Sequence, residues 1–373
     1  MRIVIDAVVL MENNSGERLG YLSQVLTQLK KENSDCSILV ICENKNTHFF
    51  EKLSDIEIVG VKARNKNAIL LAYWLDVRLP TILKKNKTDL FFSLGGLCSM
   101  NTTCLQIILL TEIKTYAEQN KAKPRINFLQ KRIIKSIAKA TGILTVTEFF
   151  KKELVDKYKI NVDKIGLISI TASNEYGSIA DKTKEEIKNK YTNGKEFFLY
   201  KGVINSSANL LNLLKAFSLF KKRQQSSLQL VICGEGSVAD KHFFKQIETY
   251  KYKSDVCIIN DLTIAEQAEL VASAYSLIYP VFFSGLMLSV LEAIKCKVPV
   301  IASDDPSMKE LLEEAALYVD PNNPQNIADQ MMRIYKDERL RSVLIEKGKL
   351  LLQHSTINNP IDQLHHIFRK ALQ

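Results

Sequence analysis

Glycine and proline are scarce in this sequence, with 14 and 8 residues among 373. That scarcity argues against a disordered chain, and the hydrophobic content of 46% suffices for about two packed cores. No Cys-x-x-Cys pair occurs among the seven cysteines. Their odd number and irregular spacing argue against a zinc site and against a disulfide framework. They favour a protein that works in a reducing compartment.

A signal peptide and an uninterrupted apolar span are also lacking. The first ten residues, MRIVIDAVVL, have one Arg and Asp6 and lead to no cleavage site, so we expect a cytoplasmic protein. One uncharged run, from Leu270 to Leu291, is long enough to span a membrane. Because Pro280 and Gly285 interrupt it, we predict a buried strand, a turn and a buried helix instead.

The net charge is +10 and the sequence pI is about 9.0. This balance favours anionic partners such as nucleotides, nucleic acid or anionic lipid. No nucleic-acid motif accompanies the charge, and no aromatic residues alternate with the basic clusters. We therefore predict that nucleic acid is not a partner.

Short apolar runs alternate with helical patterns, which predicts an α/β fold with two doubly wound, Rossmann-like domains facing a cleft. The predicted strands are residues 2–5, 37–42, 56–61, 90–94, 106–111, 143–146, 165–170, 197–202, 228–234, 256–260, 276–281, 299–303 and 317–320. Thr263 with Glu266, and Ser307 with Glu310, fit helix capping boxes. The predicted domains are residues 1–180, joined by a C-terminal helix at 355–373, and residues 190–354.

Three segments carry a resemblance to a known family. These segments are LTVTEFFKKEL, FFLYKGVINSSANLLNLLKAF, and the long stretch from YPVFFSGLMLSVLEAIKCK to MMRIYKDERLR. They resemble, in order, parts of the family 4 (group 1) retaining glycosyltransferases. The resemblance implies a GT-B fold with an acceptor-binding N-domain and a donor-binding C-domain. It also implies transfer of a hexose from a nucleotide-sugar to a glycan or lipid-linked acceptor in surface polysaccharide synthesis, without a metal.

In that family, an Arg–Lys pair in a Gly-x4-Arg-Lys-Asn loop neutralises the diphosphate of the donor. Here Gly202 and Asn209 match, but Ser207 and Ala208 occupy the two basic positions. Lys201 is unusual at a strand end and has two interpretations. Either it replaces the missing cations and acts in catalysis, or it extends to solvent.

The family also carries a Glu-x7-Glu pair around a helix start. The second position is Glu292, whose carboxylate either contacts the nucleotide ribose or makes a structural hydrogen bond. The first is Ser284, which could cap a helix starting near Gly285. The donor-binding positions that the resemblance assigns are Gly16, Gly202, Asn209, Ser284, Gly285, Leu288 and Glu292.

The N-terminal half departs from the family at three places. The His-Asp-Leu triplet is replaced here, starting at Thr111, so Glu112 is the residue left to bind an acceptor sugar or else to face solvent. Gly16 and Gly20 lie in the first loop at a spacing that differs from Gly-Ile-Gly. Thr171 stands where the family has glycine. If the chain is a transferase, the residues expected to act in catalysis are Glu112 and Lys201.

These departures cluster at the expected site, while the core pattern is kept. Two hypotheses follow: a transferase with an altered donor site, or a non-catalytic binding partner of an active glycosyltransferase. Peripheral contact with the inner face of the membrane is a further hypothesis. It rests on the helix pattern at 125–140, which places Arg132, Lys135 and Lys139 on one face, although an ordinary solvated face fits the same pattern.

Overall fold

The computed structural model describes most of the chain in detail. The described residues are 1–8, 19–23, 25–27, 36–51, 53, 55–62, 68–111, 124–204, 208–234, 241–282 and 285–355. They divide into two compact units, Met1–Ile170 and Thr171–Ile357. The C-terminal helix predicted at 355–373 lies outside the described residues beyond Ser355.

The first unit is built on a parallel sheet of seven strands in the order β3-β2-β1-β4-β5-β6-β7. The strands are β1 Arg2–Asp6, β2 Ser37–Glu43, β3 Ile56–Val61, β4 Leu90–Ser93, β5 Leu105–Leu109, β6 Gly142–Thr145 and β7 Ile165–Leu167. The chain order reverses direction between β1 and β4. Such a reversal is the topological switch point of a doubly wound sheet.

The second unit repeats this architecture with six parallel strands in the order β10-β9-β8-β11-β12-β13. These strands are β8 Phe197–Lys201, β9 Gln229–Cys233, β10 Val256–Ile259, β11 Ser276–Tyr279, β12 Val300–Ser303 and β13 Ala316–Val319. Its switch point lies between β8 and β11, which pair through Ser276 with Phe198 and Leu277 with Leu199.

All the predicted strands are confirmed, with ends that differ by up to three residues. Their residues are mostly apolar because helices cover both faces of a parallel sheet. In β4, β8 and β9, every residue is buried. The α/β fold class that the alternation predicted is therefore the observed one.

The helices of the first unit include a long continuous segment with an irregular middle. They are α1 Ala68–Tyr73, α2 Leu79–Lys85, α3 Pro124–Lys139 and α4 Glu148–Tyr158, and residues 19–23 and 25–27 are also helical. A π-helical turn, Trp74–Arg78, joins α1 to α2. Side chains of this segment and of α3 and α4 belong to one hydrophobic cluster against the sheet, so these helices lie on the same face of it.

The helices of the second unit are α5 Asp181–Thr192, α6 Leu210–Gln224, α7 Lys241–Glu248, α8 Ile264–Ala272, α9 Leu288–Lys295, α10 Pro306–Leu312, α11 Pro324–Lys336 and α12 Glu338–Ser355. The lysine-rich stretch at 182–195 is thus mostly a helix. The uncharged run from 270 to 291 contains the end of α8, strand β11 and the start of α9, as a buried segment should. In the part of the chain that the structure describes, no helix has both the length and the apolar character to cross a membrane.

One of the two predicted capping boxes is present. The Thr263 hydroxyl accepts from the backbone N–H of Glu266, and the Glu266 carboxylate accepts from the backbone N–H of Thr263. The box at Ser307 is wrong, because α10 begins two residues earlier. Pro306 takes the first helical position, where its missing N–H costs nothing, and the Asp305 carboxylate caps the helix.

Arg132 also differs from its predicted place on an outer basic face. It is 6% exposed and points inward, where both of its terminal nitrogens donate to the Asp76 carboxylate at 2.6 and 2.5 Å. It donates as well to the Cys98 carbonyl at 2.7 Å. The Asp76 carboxylate accepts a further bond from the Met100 N–H. This bidentate pair ties α3 to the π-helical turn.

Replacing Asp76 with Asn should lower the free energy of unfolding of the first unit by about 2 kcal/mol, because the Arg132 charge stays buried without its counter-charge. Burial raises the pKa of the Asp76 carboxyl, but hydrogen bonds from Arg132 and Met100 and the charge of Arg132 outweigh that, so the pKa lies below its usual value. The stabilisation that the Asp76–Arg132 pair gives is therefore fully present above the ordinary Asp pKa of about 4. It is lost as the pH falls through the lowered pKa of Asp76.

Urea unfolding followed by fluorescence measures this effect, since the chain has one tryptophan and Trp74 lies in the same turn. Glu57→Gln is the matched control, because Glu57 pairs with Arg2 at the surface with 63% of its side chain exposed. An equal loss of stability in both variants, or a loss in Asp76→Asn that does not shrink at low pH, would contradict the assignment.

Candidate functional site

Chemistry-bearing residues of the second unit gather at the switch point of its sheet. Lys201 is the last residue of β8 and pairs in register with Cys233, the last residue of β9. The chain after β11 leads to α9, which carries Glu292. In open parallel sheets, ligands bind outside the carboxyl ends of the strands at this point. The topology alone therefore marks this edge as the place to look for a site.

Lys201 and Glu292 form a buried ion pair at this edge. The Lys201 Nζ lies 2.7 Å from Glu292 Oε2, and their side chains are 5% and 8% exposed. The interpretation of Lys201 as a lysine that extends to solvent is therefore wrong. The structure brings together two of the predicted site residues, which lie 91 positions apart in the chain.

An aromatic ring and two thiols surround the pair. Lys201 Nζ lies 5.5 Å from the centroid of the Tyr176 ring, a distance at which a cation is attracted to the ring face. Burial raises the pKa of the Cys233 thiol to about 11 and that of Cys296 to about 12. Thiols with such raised pKa values are protonated at neutral pH, so neither is activated as a nucleophile.

Two glycines let the strand ends approach each other closely. A Cβ atom on Gly234 would lie 1.6 Å from the carbonyl oxygen of Gly202, so no other residue fits at position 234. Gly202 has φ +154° and donates its N–H to the Cys233 carbonyl at 3.0 Å. These glycines bring backbone, rather than side chains, to the edge beside Lys201.

Asn209 holds three loops of this edge together. It has a left-handed backbone, φ 59°, and directly precedes α6. Its side-chain amide donates to the carbonyls of Pro280, at 2.8 Å, and Pro321, at 2.6 Å. These carbonyls follow β11 and β13. The predicted donor-binding residue Asn209 thus connects the segments that follow three strands.

The helix that carries Glu292 starts later than predicted. It begins at Leu288, not near Gly285, and its N-cap is Met287 in a left-handed conformation with φ 55°. Gly285 also has φ 55° and precedes a tight, buried turn in which Met287 is 1% exposed. Because the side chain of Met contains no oxygen, the first N–H groups of α9 receive no side-chain cap from Met287.

Several predicted residues cannot be placed in this site. Glu112, Gly16 and Ser284 lie outside the described residues. Leu288 is 4% exposed in the first turn of α9. In the first unit, Thr111 is buried at 7% exposure.

Three further lysines of the second unit have other partners or face solvent. Lys295 donates to the carbonyls of Ala172 and Ser173 at 3.2 and 2.8 Å, and burial lowers its pKa. Lys297 is exposed. Lys309 pairs with Asp304 at 2.5 Å, about half exposed.

Tyr176 is the residue that sequence reasoning missed. It is 3% exposed and lies far from Lys201 and Glu292 in the chain. Nothing in its neighbourhood, SNEYG, marks it as part of a site. The sequence did contain one signal for the ion pair. Lys201 is a charged residue at the end of an otherwise apolar strand, and such a residue needs a partner when it is buried.

Comparison with known proteins finds a family match in the second unit. Residues 181–351 match the family described as Glycosyl transferases group 1. This range contains Lys201, Asn209 and Glu292. It covers most of the second unit.

Two curated relatives share this similarity. The chain is 25% identical over 227 residues to O-antigen chain mannosyltransferase B of Escherichia coli, a match that covers 61% of this chain and 60% of that protein. It is also 25% identical over 304 residues to O-antigen chain mannosyltransferase RfbU of Salmonella typhimurium, covering 77% of this chain and 78% of that protein. The first match thus spans less than two thirds of the relative's length.

A solved structure supports the fold across the whole chain. The structure of Anabaena HepE in complex with UDP and glucose superimposes with a TM-score of 0.75 at 12% identity, covering 99% of this chain and 100% of that one. The GT-B type of fold that the resemblance implied is confirmed by this likeness. The family match and these relatives therefore show that this chain, most clearly over residues 181–351, is similar to the group 1 glycosyltransferases.

Proposed function

We propose that this chain transfers a hexose, most simply mannose, from a nucleoside diphosphate donor to a glycan or lipid-linked acceptor in the synthesis of a surface polysaccharide. The second unit would bind the donor. The names of the two mannosyltransferase relatives support the sugar, and the HepE complex with UDP supports a nucleotide at this fold. The observation that carries the proposal is the buried Lys201–Glu292 pair at the switch point.

The chemistry asks for a positive charge beside the diphosphate. As the sugar leaves, negative charge builds on the diphosphate, and a preorganised cation lowers the barrier to that step. The loop positions that would supply it are Ser207 and Ala208, which carry no charge. Lys201 is the last residue of the strand that precedes this loop, and it contacts Glu292 and Tyr176. We propose that its ammonium group takes over the contact with the diphosphate.

Glu292 would then accept hydrogen bonds from the ribose hydroxyls. In this exchange, the diphosphate becomes the counter-charge of Lys201, and the ribose becomes the partner of Glu292. A buried ion pair is close to break-even against its desolvation, so opening it costs little once both charges regain partners. The Lys201–Glu292 pair can therefore keep both side chains charged while no donor is bound, and it can separate when a donor binds.

The alternative, a non-catalytic binding partner of an active transferase, draws no support from the relatives, which are named as transferases. Glu112 and Gly16 remain proposals for the acceptor side and the donor loop respectively. Contact with the inner face of a membrane also remains a proposal.

The proposed donor site predicts that a nucleotide binds. In calorimetric titrations with UDP, GDP and ADP at low salt, one nucleotide should bind, and Glu292→Gln should weaken it by about 10- to 100-fold through loss of a charged hydrogen-bond acceptor. The matched control is Asp255→Asn. It breaks the partly buried Lys221–Asp255 pair, 3.0 Å long, which lies at the amino end of β10, the opposite edge of the sheet. Failure of every nucleotide to bind would remove the basis for a donor site.

If Lys201 contacts the diphosphate, its replacement should affect the binding of ligands that carry phosphate groups and not the binding of the nucleoside. Lys201→Met should reduce the affinity for the nucleoside diphosphate by about 10- to 100-fold, because it removes a charge-assisted contact, but should leave the affinity for the nucleoside alone almost unchanged. Lys201→Arg should retain part of the difference. Lys309→Met, at a half-exposed lysine of the same unit, serves as control. Equal losses for nucleoside and diphosphate would assign Lys201 a structural role only.

The identity of the sugar can be tested by turnover. Release of free nucleotide should be faster with nucleoside diphosphate mannose than with the matching glucose donor, with UDP and GDP forms both tried. Lys201→Met should slow this release by about 10²- to 10³-fold, the usual cost of one preorganised charge stabiliser. A preference for the glucose donor would contradict the mannose assignment while leaving the donor site itself in place.

A further inference from the structure

The first residues of the second unit, 171–177, lie against the end of α9. Three oxygens of this segment accept from the ammonium group of Lys295, the last residue of α9. They are the carbonyls of Ala172, at 3.2 Å, and Ser173, at 2.8 Å, and the side-chain oxygen of Asn174, at 3.3 Å. Because an ammonium group has three N–H donors, these contacts can use all of them. One lysine therefore holds the start of the segment to the helix.

A second contact holds the other end of the segment. The backbone N–H of Gly177 lies beside the sulfur of Cys296, the residue that follows α9. Between the two anchors the chain turns, and the Tyr176 N–H donates to the Ser173 carbonyl at 3.1 Å. In this turn Glu175 faces solvent, whereas Tyr176 is buried at 3% exposure. The two anchors thus fix where the ring of Tyr176 lies.

The ring of Tyr176 lies against the ammonium group of Lys201. The Nζ atom is 5.5 Å from the ring centroid and 2.7 Å from Glu292 Oε2. Glu292 and Lys295 are three positions apart in α9 and so lie on the same face of that helix. One face of α9 therefore reaches Lys201 twice, directly through Glu292 and indirectly through the segment that Lys295 holds.

The position of the Lys201 ammonium group depends on its contacts, because lysine has a flexible four-carbon stem. The Glu292 contact neutralises the charge of the ammonium group and occupies one of its N–H donors. The face of the Tyr176 ring attracts a cation through its quadrupole and brings no negative charge. The ring can therefore hold the ammonium group in place and still leave its charge available to a phosphate.

We propose that Tyr176 and Lys295 are positioning residues for Lys201, which keep its ammonium group at the diphosphate of the donor after Glu292 has turned to the ribose. This inference rests on the proposed function. Tyr176 acts through its ring. Lys295 acts one step further away, by holding the turn that carries Tyr176. Neither residue touches the donor, so neither contributes to the binding of the nucleoside part.

The experiment is calorimetric titration of the full chain at low salt with UDP, GDP and ADP and with the corresponding nucleosides. Tyr176→Leu removes the ring and should weaken binding of the nucleoside diphosphate about 3- to 10-fold, the range expected for one cation–π contact. Lys295→Met releases the turn and should weaken diphosphate binding by up to the same factor. Nucleoside binding should be unchanged in both variants. Tyr176→Phe keeps the ring and should restore most of the loss.

Combination with Lys201→Met separates positioning from a structural role. In a chain with that substitution no ammonium group remains to be positioned, so adding Tyr176→Leu or Lys295→Met should cause no further loss of diphosphate affinity. Thermal unfolding checks that each variant is folded. If Tyr176→Leu fails to fold, Tyr176→Met takes its place, because the flexible side chain of methionine fills irregular apolar space.

Matched controls come from the same unit. Lys297→Met removes the same charge from an exposed lysine close to Lys295 in the chain. Tyr318→Leu removes the ring from another lysine–tyrosine contact, in which the Lys309 Nζ lies 5.7 Å from the centroid of the Tyr318 ring. Both control variants should bind the nucleotide as the unchanged chain does.

Three results would overturn the inference. In the first, Tyr176→Phe lowers the diphosphate affinity as much as Tyr176→Leu does. In the second, the nucleoside loses as much affinity as the diphosphate, and in the third the losses persist in the chain with Lys201→Met. In all three cases the unchanged chain still binds a nucleotide, so the proposed donor site stands. Binding of no nucleotide to the unchanged chain would instead remove the donor site and, with it, the role assigned to Tyr176 and Lys295.

Discussion

The arrangement of residues at the carboxyl ends of the strands in the second unit depends on one buried ion pair. Lys201 and Glu292 are withdrawn from water, so each must keep the other within hydrogen-bonding distance or bear a large desolvation penalty. Their contact holds the end of β8 to the middle of α9. For a helix that is buried along almost its whole length, such a contact also fixes how far the helix lies from the sheet.

The surrounding backbone is arranged to make this contact possible. Gly202 and Gly234 allow the ends of β8 and β9 to approach within a distance that no side chain would tolerate. Met287 turns the chain through a left-handed conformation before α9, which brings Glu292 toward the strand end. Under the proposed function, Lys201 at the strand end supplies the cation that the uncharged loop positions Ser207 and Ala208 lack.

The strands could be predicted because their cause is local. A parallel strand covered on both faces is mostly apolar, and runs such as FFLY and LQLVIC indicate such a strand directly. The pairing of Lys201 with Glu292 could not be predicted, since it joins residues 91 positions apart through the fold. A charge at the end of a buried strand indicated that a partner was needed, without indicating which residue it was.

Helix faces were predicted less well, for a related reason. Periodicity places Arg132 on a face with Lys135 and Lys139, but it does not say that a neighbouring helix offers a carboxylate to one of them. Similarly, Ser307 and Glu310 had the right spacing for a cap, and a proline beside Asp305 moved the helix start. In both cases a contact or a backbone restriction from a neighbouring residue outweighed the pattern.

Asn209 shows that the residues of one motif can have separate roles. Its amide binds the carbonyls of Pro280 and Pro321 and so stabilises the backbone of three segments, whatever ligand is present. The resemblance assigns the two positions before it, Ser207 and Ala208, to the ligand. Replacing Asn209 would release the backbone carbonyls that follow two strands, so the asparagine holds the architecture of this edge independently of the substrate.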